Sequence, residues 1–232
     1  MTELWAYLAH TPLLWLALTL ASYLLASEAA RRSGNHPLCN PVLLAVLMLI
    51  GLLRISGTSY ATFFDGAQFI HFLLGPATVA LAVPLAQVIR RVRQMALPLA
   101  LALGAGALAA IGGTVLLAQS LGLDGPTLRS LLPRSVTTPI AMGVAEHIGG
   151  EPSLTAALVI LTGMIGALIA NDLLRLLRVE EPAIRGFAMG LAAHGIGTAR
   201  ALQLHTEAGA FATLAMILNG VLTAVLLPLL LN

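Results

Sequence analysis

Two stretches of this chain place hydroxyls, glycines and an arginine inside otherwise apolar sequence. The first is Arg134-Ser135-Val136-Thr137-Thr138-Pro139. Proline is favoured in the first turn of a helix, and Ser or Thr just before it. Thr138 is therefore expected to cap a short helix that starts at Pro139 and runs through Ala141, Gly143 and Ala145. The free N–H groups and positive dipole end of such a helix attract an anion, by about 0.3–1 kcal/mol and up to about 2 when partly buried. The same residues also fit a plain loop-to-helix junction. The second stretch is Ala193-His194-Gly195-Ile196-Gly197-Thr198-Ala199-Arg200. Gly195 and Gly197 flank one residue, a pattern that breaks a helix and lets backbone approach a ligand. Thr198 can cap the next helical segment, and Arg200 supplies a fixed positive charge. A packed glycine-rich helix contact, with Arg200 snorkelling outward, accounts for the same residues.

Three further groups are placed to carry a coupling proton: Glu146, Asp172 and His194. Glu146-His147 comes directly after the first short helix, and histidine titrates near neutrality; a helix-end charge fits equally well. Asp172 closes an apolar run and suits an interfacial position as well as a coupling role. His71, inside an apolar run, is expected to be a hydrogen-bonded core residue, while His10, His36 and His205 sit at run ends and carry no assignment. No His/Asp/Glu spacing fits a metal site, and no nucleophile–base pair or cofactor motif is visible. Neither metal, cofactor nor enzymatic activity is expected. The single cysteine, Cys39, excludes an intrachain disulfide.

The elements that must position these residues can be read from composition. Of 232 residues 58% are apolar and only 9% are Asp, Glu, Lys or Arg, where soluble domains carry roughly 25%. The charges are 12 Arg and 10 acids, with no lysine. A soluble fold could not cover its surface with so few. A soluble enzyme, a disordered chain and a nucleic-acid binder are excluded, whatever the pI of about 9.2 implies. The chain reads as an all-α polytopic membrane protein, one integral domain over residues 1–232 in the lipid bilayer.

A crossing needs about 20 apolar residues. Runs at 12–27, 38–53, 66–89, 94–123, 152–171 and 208–232 predict six full spans. Residues 135–145 and 186–199 are too short to cross and dense in small or hydroxyl residues, so both are expected to be broken or re-entrant half-helices. Glu3 is the only charge before the first run and Arg31-Arg32 come after it, the reverse of a signal peptide, so the run is expected to be permanent. Arg31-Arg32 and Arg90/Arg91/Arg93 can both be cytoplasmic. Arg175, Arg178 and Arg185 join them only if 135–149 turns back, which puts the N-terminus outside. An offset of 59 residues brings Asp65-Gly66 onto Asp124-Gly125 and Thr78 onto Thr137, with 9 identities in the 40 pairs from 65 to 104. Duplication of units 65–118 and 124–177, a common way to build transporters, and compositional coincidence both account for it.

At the two polar stretches the chain resembles a known family. Pro133-Arg134-Ser135-Val136-Thr137-Thr138-Pro139-Ile140-Ala141-Met142 resembles a signature of the LrgB/CidB family. Arg185-Gly186-Phe187-Ala188-Met189-Gly190, together with 193–200, resembles its second signature. The Gly149-Gly150 turn and the Ala208–Phe211 entry to the last span also fit, whereas the first 60 residues match only in hydropathy. Arg134 stands where many members carry Lys. The resemblance implies one of two roles. Bacterial members are named antiholin-like regulators of murein hydrolase export and cell lysis, paired with a small LrgA/CidA-type membrane protein. Others carry small carboxylates, as the plastid glycolate/glycerate translocator does. The residues favour a carrier for a small carboxylate, with a bacterial inner-membrane location. Arg134, Ser135, Thr137, Thr138 and Pro139 would form one half of the binding site. His194, Gly195, Gly197, Thr198 and Arg200 would form the other. A homodimer would help to support a moving element.

Overall fold

Many large apolar side chains of this protein are exposed, and many of its buried residues are small. Leu97, Leu101, Leu108 and Leu116 are exposed, for example, while Leu99, Ala107, Thr114 and Ala118 of the same helix are buried. Lipid solvates leucine as well as protein does, so membrane helices associate through close contact of small residues. The computed structural model describes residues 12–33, 39, 41–80 and 82–231. Glu3, His10 and His36 lie outside the described residues, as does the side chain of His71. The described elements are α-helices, with no strand among these residues.

The chain divides into two units, Met1–Ala80 and Leu81–Asn232. In the first, α1 (Pro12–Arg32) packs against α2 (Pro41–Ser56) and α3 (Tyr60–Ala80). Trp15 is fully buried there and meets Phe63 edge-on at 5.9 Å. Arg31 and Arg32 close α1 and pair with Glu28.

The second unit carries both polar stretches. It begins with α4 (Ala82–Gln87) and α5 (Ile89–Gln94), then the long α6 (Ala96–Ser120). After α7 (Gly125–Leu131) and α8 (Thr138–His147) come α9 (Pro152–Leu176), α10 (Pro182–Leu204) and α11 (Thr206–Leu231). Among the described residues, four helices are long and apolar enough to cross a membrane: α1, α6, α9 and α11. The apolar runs predict six. Of the run 66–89, α3 is described up to Ala80 and α4 from Ala82 to Gln87, with Leu81 outside the described residues. Of the run 38–53, the described helix is α2, 16 residues and about 24 Å long.

The short segments do turn back on themselves. A straight α10 of 23 residues would be about 34 Å long, holding residue 207 far from residue 181. Yet Arg91 pairs with both Glu181 and Glu207. A Cβ added at Gly186 would fall on the backbone of Ala208, and one at Gly190 on that of Ala212. One added at Gly197 would strike the Met189 carbonyl and the Ala193 Cβ. Residues 182–192 therefore run alongside α11, and 195–204 return beside them. The reversal lies at Ala193 (φ −125°, ψ 16°) and His194 (φ 40°, ψ −131°).

The other hairpin is the segment 132–137, which follows α7, and α8. Its legs meet where Leu132 packs with Val144 and Ile148, beside Leu227 of α11. Ser130 ties its base to the start of α9: Glu151 N–H donates to Ser130 Oγ at 2.7 Å, and Thr155 Oγ1 donates to the Ser130 carbonyl at 3.1 Å. Asp124 caps α7 by accepting from Thr127 N–H at 2.9 Å. The Thr127 side chain, and then its N–H, hold the Asp124 carboxyl below its ordinary value. Each hairpin thus leads into a crossing helix, α9 after the first and α11 after the second.

Candidate functional site

Asn219 marks where the hairpins meet. It sits mid-way along the 26-residue α11, about 20 Å from either end at 1.5 Å per residue. The α10 hairpin lies along α11 on one side of it, with Ala208 and Ala212 against Gly186 and Gly190. On the other side α8 runs along α11, with Gly143, Val144 and His147 sharing a groove with Ala224 and Pro228. Ile140 lies beside Gly220, where a Cβ would come within 3.0 Å of it. The two tips therefore approach the middle of one crossing helix from opposite ends. Asn219 Nδ2 donates to the Ser135 carbonyl at 3.3 Å and to the Leu191 carbonyl at 3.2 Å.

His194 makes the second tip. A non-glycine residue at φ 40° costs on the order of 1–3 kcal/mol and persists only where its surroundings over-determine it. Three contacts do so. His194 Nε2 lies 3.0 Å from the Val159 carbonyl; a carbonyl can only accept, so Nε2 carries the hydrogen. Thr198 Oγ1 donates to the His194 carbonyl at 2.8 Å. Asn219 takes the Leu191 carbonyl, which in an unbroken helix would accept from Gly195. Glycines on α9 make the room: a Cβ at Gly163 would lie 2.7 Å from His194 Cε1, and one at Gly166 would lie 2.6 Å from Ala193 Cβ.

The first tip opens α8. Thr137 takes the cap position (φ −66°, ψ 146°) without a side-chain cap bond, and Pro139 stands in the first turn. The helix starts one residue earlier than expected, at Thr138, so Thr138 is not the cap. Val136 and Ala141 pack on Val159, the residue whose carbonyl holds His194. α9 thus supports both tips from one side, as Asn219 of α11 does from the other.

The predicted site residues separate on this frame. Ser135, Thr137, Thr138 and Pro139 lie at the first tip, and His194 and Gly195 at the second. Gly197 is spent on packing against Met189. Thr198 is a buried brace inside the returning leg, not a cap, because its hydroxyl already serves His194. Arg134 leaves the tip toward α6, where it donates to Thr114, a buried residue bonded in turn to the Ala110 carbonyl at 2.6 Å. Arg200 lies further along the returning leg and reaches Gln203 at 3.2 Å. Glu146 is exposed near the far end of α8, and Asp172 is exposed toward the base of the other hairpin, beside Asn171. Of the three coupling candidates, only His194 is at the tips. Sequence reasoning missed Asn219, Thr114 and Gly163. An asparagine inside a charge-free run was the available signal.

Two helix N-termini, at Thr138 and Gly195, open at this meeting point. N–H groups at helix starts have no intrahelical acceptor, and each start carries the positive end of a helix dipole. Such a pair suits a small anion. A family model described as the LrgB-like family matches residues 19–232. The chain belongs to this family. It is similar to the uncharacterized protein YwbG of Bacillus subtilis, at 37% identity over 94% of this chain and 96% of the relative. It is also similar to the holin-like protein CidB of Staphylococcus aureus, at 33% identity over 94% of this chain and 95% of that one. The antiholin-like protein LrgB of Bacillus mycoides is 28% identical over the same shares. No solved structure matches the chain. The protein is thus a helical membrane protein of the LrgB-like family, with bacterial relatives.

Proposed function

We propose that this protein is a secondary carrier of small monocarboxylates, such as glycolate, glycerate or pyruvate, working by alternating access in a bacterial inner membrane. The observation that supports this reading is the meeting of two re-entrant tips beside Asn219, half-way along a crossing helix. Half-helix N-termini aimed at mid-membrane hold anionic groups in transporters. On this reading the N–H groups of Thr137, Thr138 and Ile140 and those of Gly195 and Ile196 would cradle the carboxylate, and the Ser135, Thr137 and Thr138 hydroxyls would bond its oxygens or a substrate hydroxyl. Arg134 supplies positive charge behind the first tip. His194, with Nδ1 left as the acceptor of its neutral form, is the group suited to a coupling proton. No part of this scheme is enzymatic.

The names of relatives favour a second reading. CidB is named holin-like and LrgB antiholin-like. On that reading the chain is a non-transporting regulator of murein hydrolase export and lysis, acting with a small LrgA/CidA-type membrane protein. The discriminating experiment is uptake of radiolabelled glycolate or pyruvate by proteoliposomes, comparing the parent with Thr138→Val and His194→Ala. The carrier loses uptake in both variants. A regulator shows no uptake in any of them and keeps its lysis phenotype in both.

A further inference from the structure

We propose that Asn219 is a clasp: it holds the two hairpin tips together, and a carboxylate reaches the site by taking over one of its N–H groups. The inference rests on the carrier reading and adds how access to that site is controlled. Asn219 is 2% exposed, on a helix whose other buried groups are mostly Ala, Gly and Thr. A neutral amide has two N–H donors. One serves Ser135 of the first tip and the other Leu191 of the second, at 3.3 and 3.2 Å. Its Oδ1 lies 3.5 Å from Thr223 Oγ1, a hydroxyl that donates to it. Carbonyls only accept, so the nitrogen must be the side turned toward them.

Both bonds are long for N–H···O, where about 2.9–3.0 Å is usual, and both are neutral. A carboxylate oxygen is the stronger acceptor, because charge-assisted hydrogen bonds are roughly twice as strong as neutral ones. An arriving carboxylate, drawn by the N-termini at Thr138 and Gly195, competes with a backbone carbonyl for one N–H. Loss of either bond frees one tip while the other stays tied to Asn219, and the legs of both hairpins keep their packing on α11. The geometry thus separates the tips one at a time, which alternating access requires.

The test uses oxidative cross-linking between Ser135→Cys and Leu191→Cys in a Cys39→Ser background. Asn219→Leu, which keeps bulk and loses both bonds, should lower the cross-linking rate about eightfold if each bond contributes the average for interhelical hydrogen bonds in membranes. Asn219→Asp supplies its own folding control. Protonated, it donates to one carbonyl; ionised, it turns negative charge on both. Relative to the Asn219 parent at the same pH, cross-linking should therefore be fast at low pH and slow at high pH in the same sample, which removes the rise in thiolate with pH that both proteins share. Nearby charged or titratable groups are His194 and Arg134, on the two hairpins, and His147 of α8, which shares a groove with Ala224 five residues along α11; α4 carries none, Glu207 is 12 residues back along α11 and Asp172 is 13 residues beyond Val159 on α9. Repeating the pH series with His194→Ala and with His147→Ala assigns the transition to position 219. Added glycolate should slow cross-linking in the Asn219 parent. Rates that are the same in all three residue-219 proteins at every pH would overturn the clasp. Residue-219-dependent cross-linking in a protein that takes up no carboxylate, and whose rate ignores glycolate, would keep the tip contact and overturn the carrier reading with its access step.

Discussion

Replacing Gly163 by alanine adds one methyl group to α9 at the point where His194 turns the chain. The new Cβ would stand 2.7 Å from His194 Cε1, 2.8 Å from Nε2 and 2.8 Å from Ile196 Cδ1. Carbon atoms rest at about 3.5–4.0 Å, so the imidazole must retreat by about 1 Å. The bond from Nε2 to the Val159 carbonyl, 3.0 Å in the parent, then passes the limit of a useful hydrogen bond. An unsatisfied buried donor costs about 1–3 kcal/mol, overpacking a similar amount, and alanine returns about 1 in helix propensity. The net expectation is a loss of about 1–5 kcal/mol. The assay is reversible unfolding in detergent monitored by circular dichroism. Gly104→Ala, where no atom lies within 4 Å of the added Cβ, serves as the control and should be neutral or stabilising. His194→Ala removes the ring that Gly163→Ala strikes, so the double variant should be less destabilised than the sum of the singles by about 1 kcal/mol or more. A cost for Gly163→Ala below about 0.5 kcal/mol, or strict additivity with His194→Ala, would refute the packing account of the tip.

Other consequences are smaller or coarser. Arg91→Ala removes two partly exposed ion pairs, so it should cost about 0.4–2 kcal/mol at low salt and much less at 1 M, read as unfolding midpoints at the two ionic strengths. Gly190→Val drives a side chain into the Ala212 backbone; the two helices cannot separate locally, and folded protein should be lost on size-exclusion chromatography, whereas Gly112→Ala should elute as the parent does. Asp124, held below its ordinary value by Thr127, stabilises the start of α7 fully above the unfolded-state value of about 3.9 and loses that contribution as pH falls through its lowered pKa. Asp124→Asn, which keeps the accepting oxygen, should flatten that part of the acid unfolding curve.

The membrane class was legible from charge alone, and the two re-entrant elements from segments too short to cross yet rich in small residues. Their geometry was less so, for identifiable reasons. Thr137 and Thr138 are equally good caps, so local preference leaves a one-residue ambiguity that packing of Val136 and Ala141 on Val159 resolves. The glycine pattern announced a break near 195–197, but the reversal falls on His194. No local rule puts a histidine at φ 40°; the Val159 carbonyl and the Thr198 hydroxyl hold it there. Asn219 acquires its importance only through partners 84 and 28 residues away. Arg91, read as one of a basic cluster that orients the chain, also gathers Glu181 and Glu207 from 90 and 116 residues away. Arg134 and Arg200 looked equivalent in sequence. The structure turns one to α6 and the other to Gln203.

The central claim is that two tips meeting at Asn219 form an alternating-access site for a small carboxylate. Counterflow addresses it most directly, because it needs a site that faces each side in turn and no external energy source. Proteoliposomes of the purified protein, loaded with unlabelled glycolate and diluted into trace labelled glycolate, should accumulate label transiently above equilibrium. Thr138→Val should abolish the overshoot. No overshoot with glycolate, glycerate or pyruvate, with or without a co-reconstituted LrgA/CidA-type partner, would contradict the account.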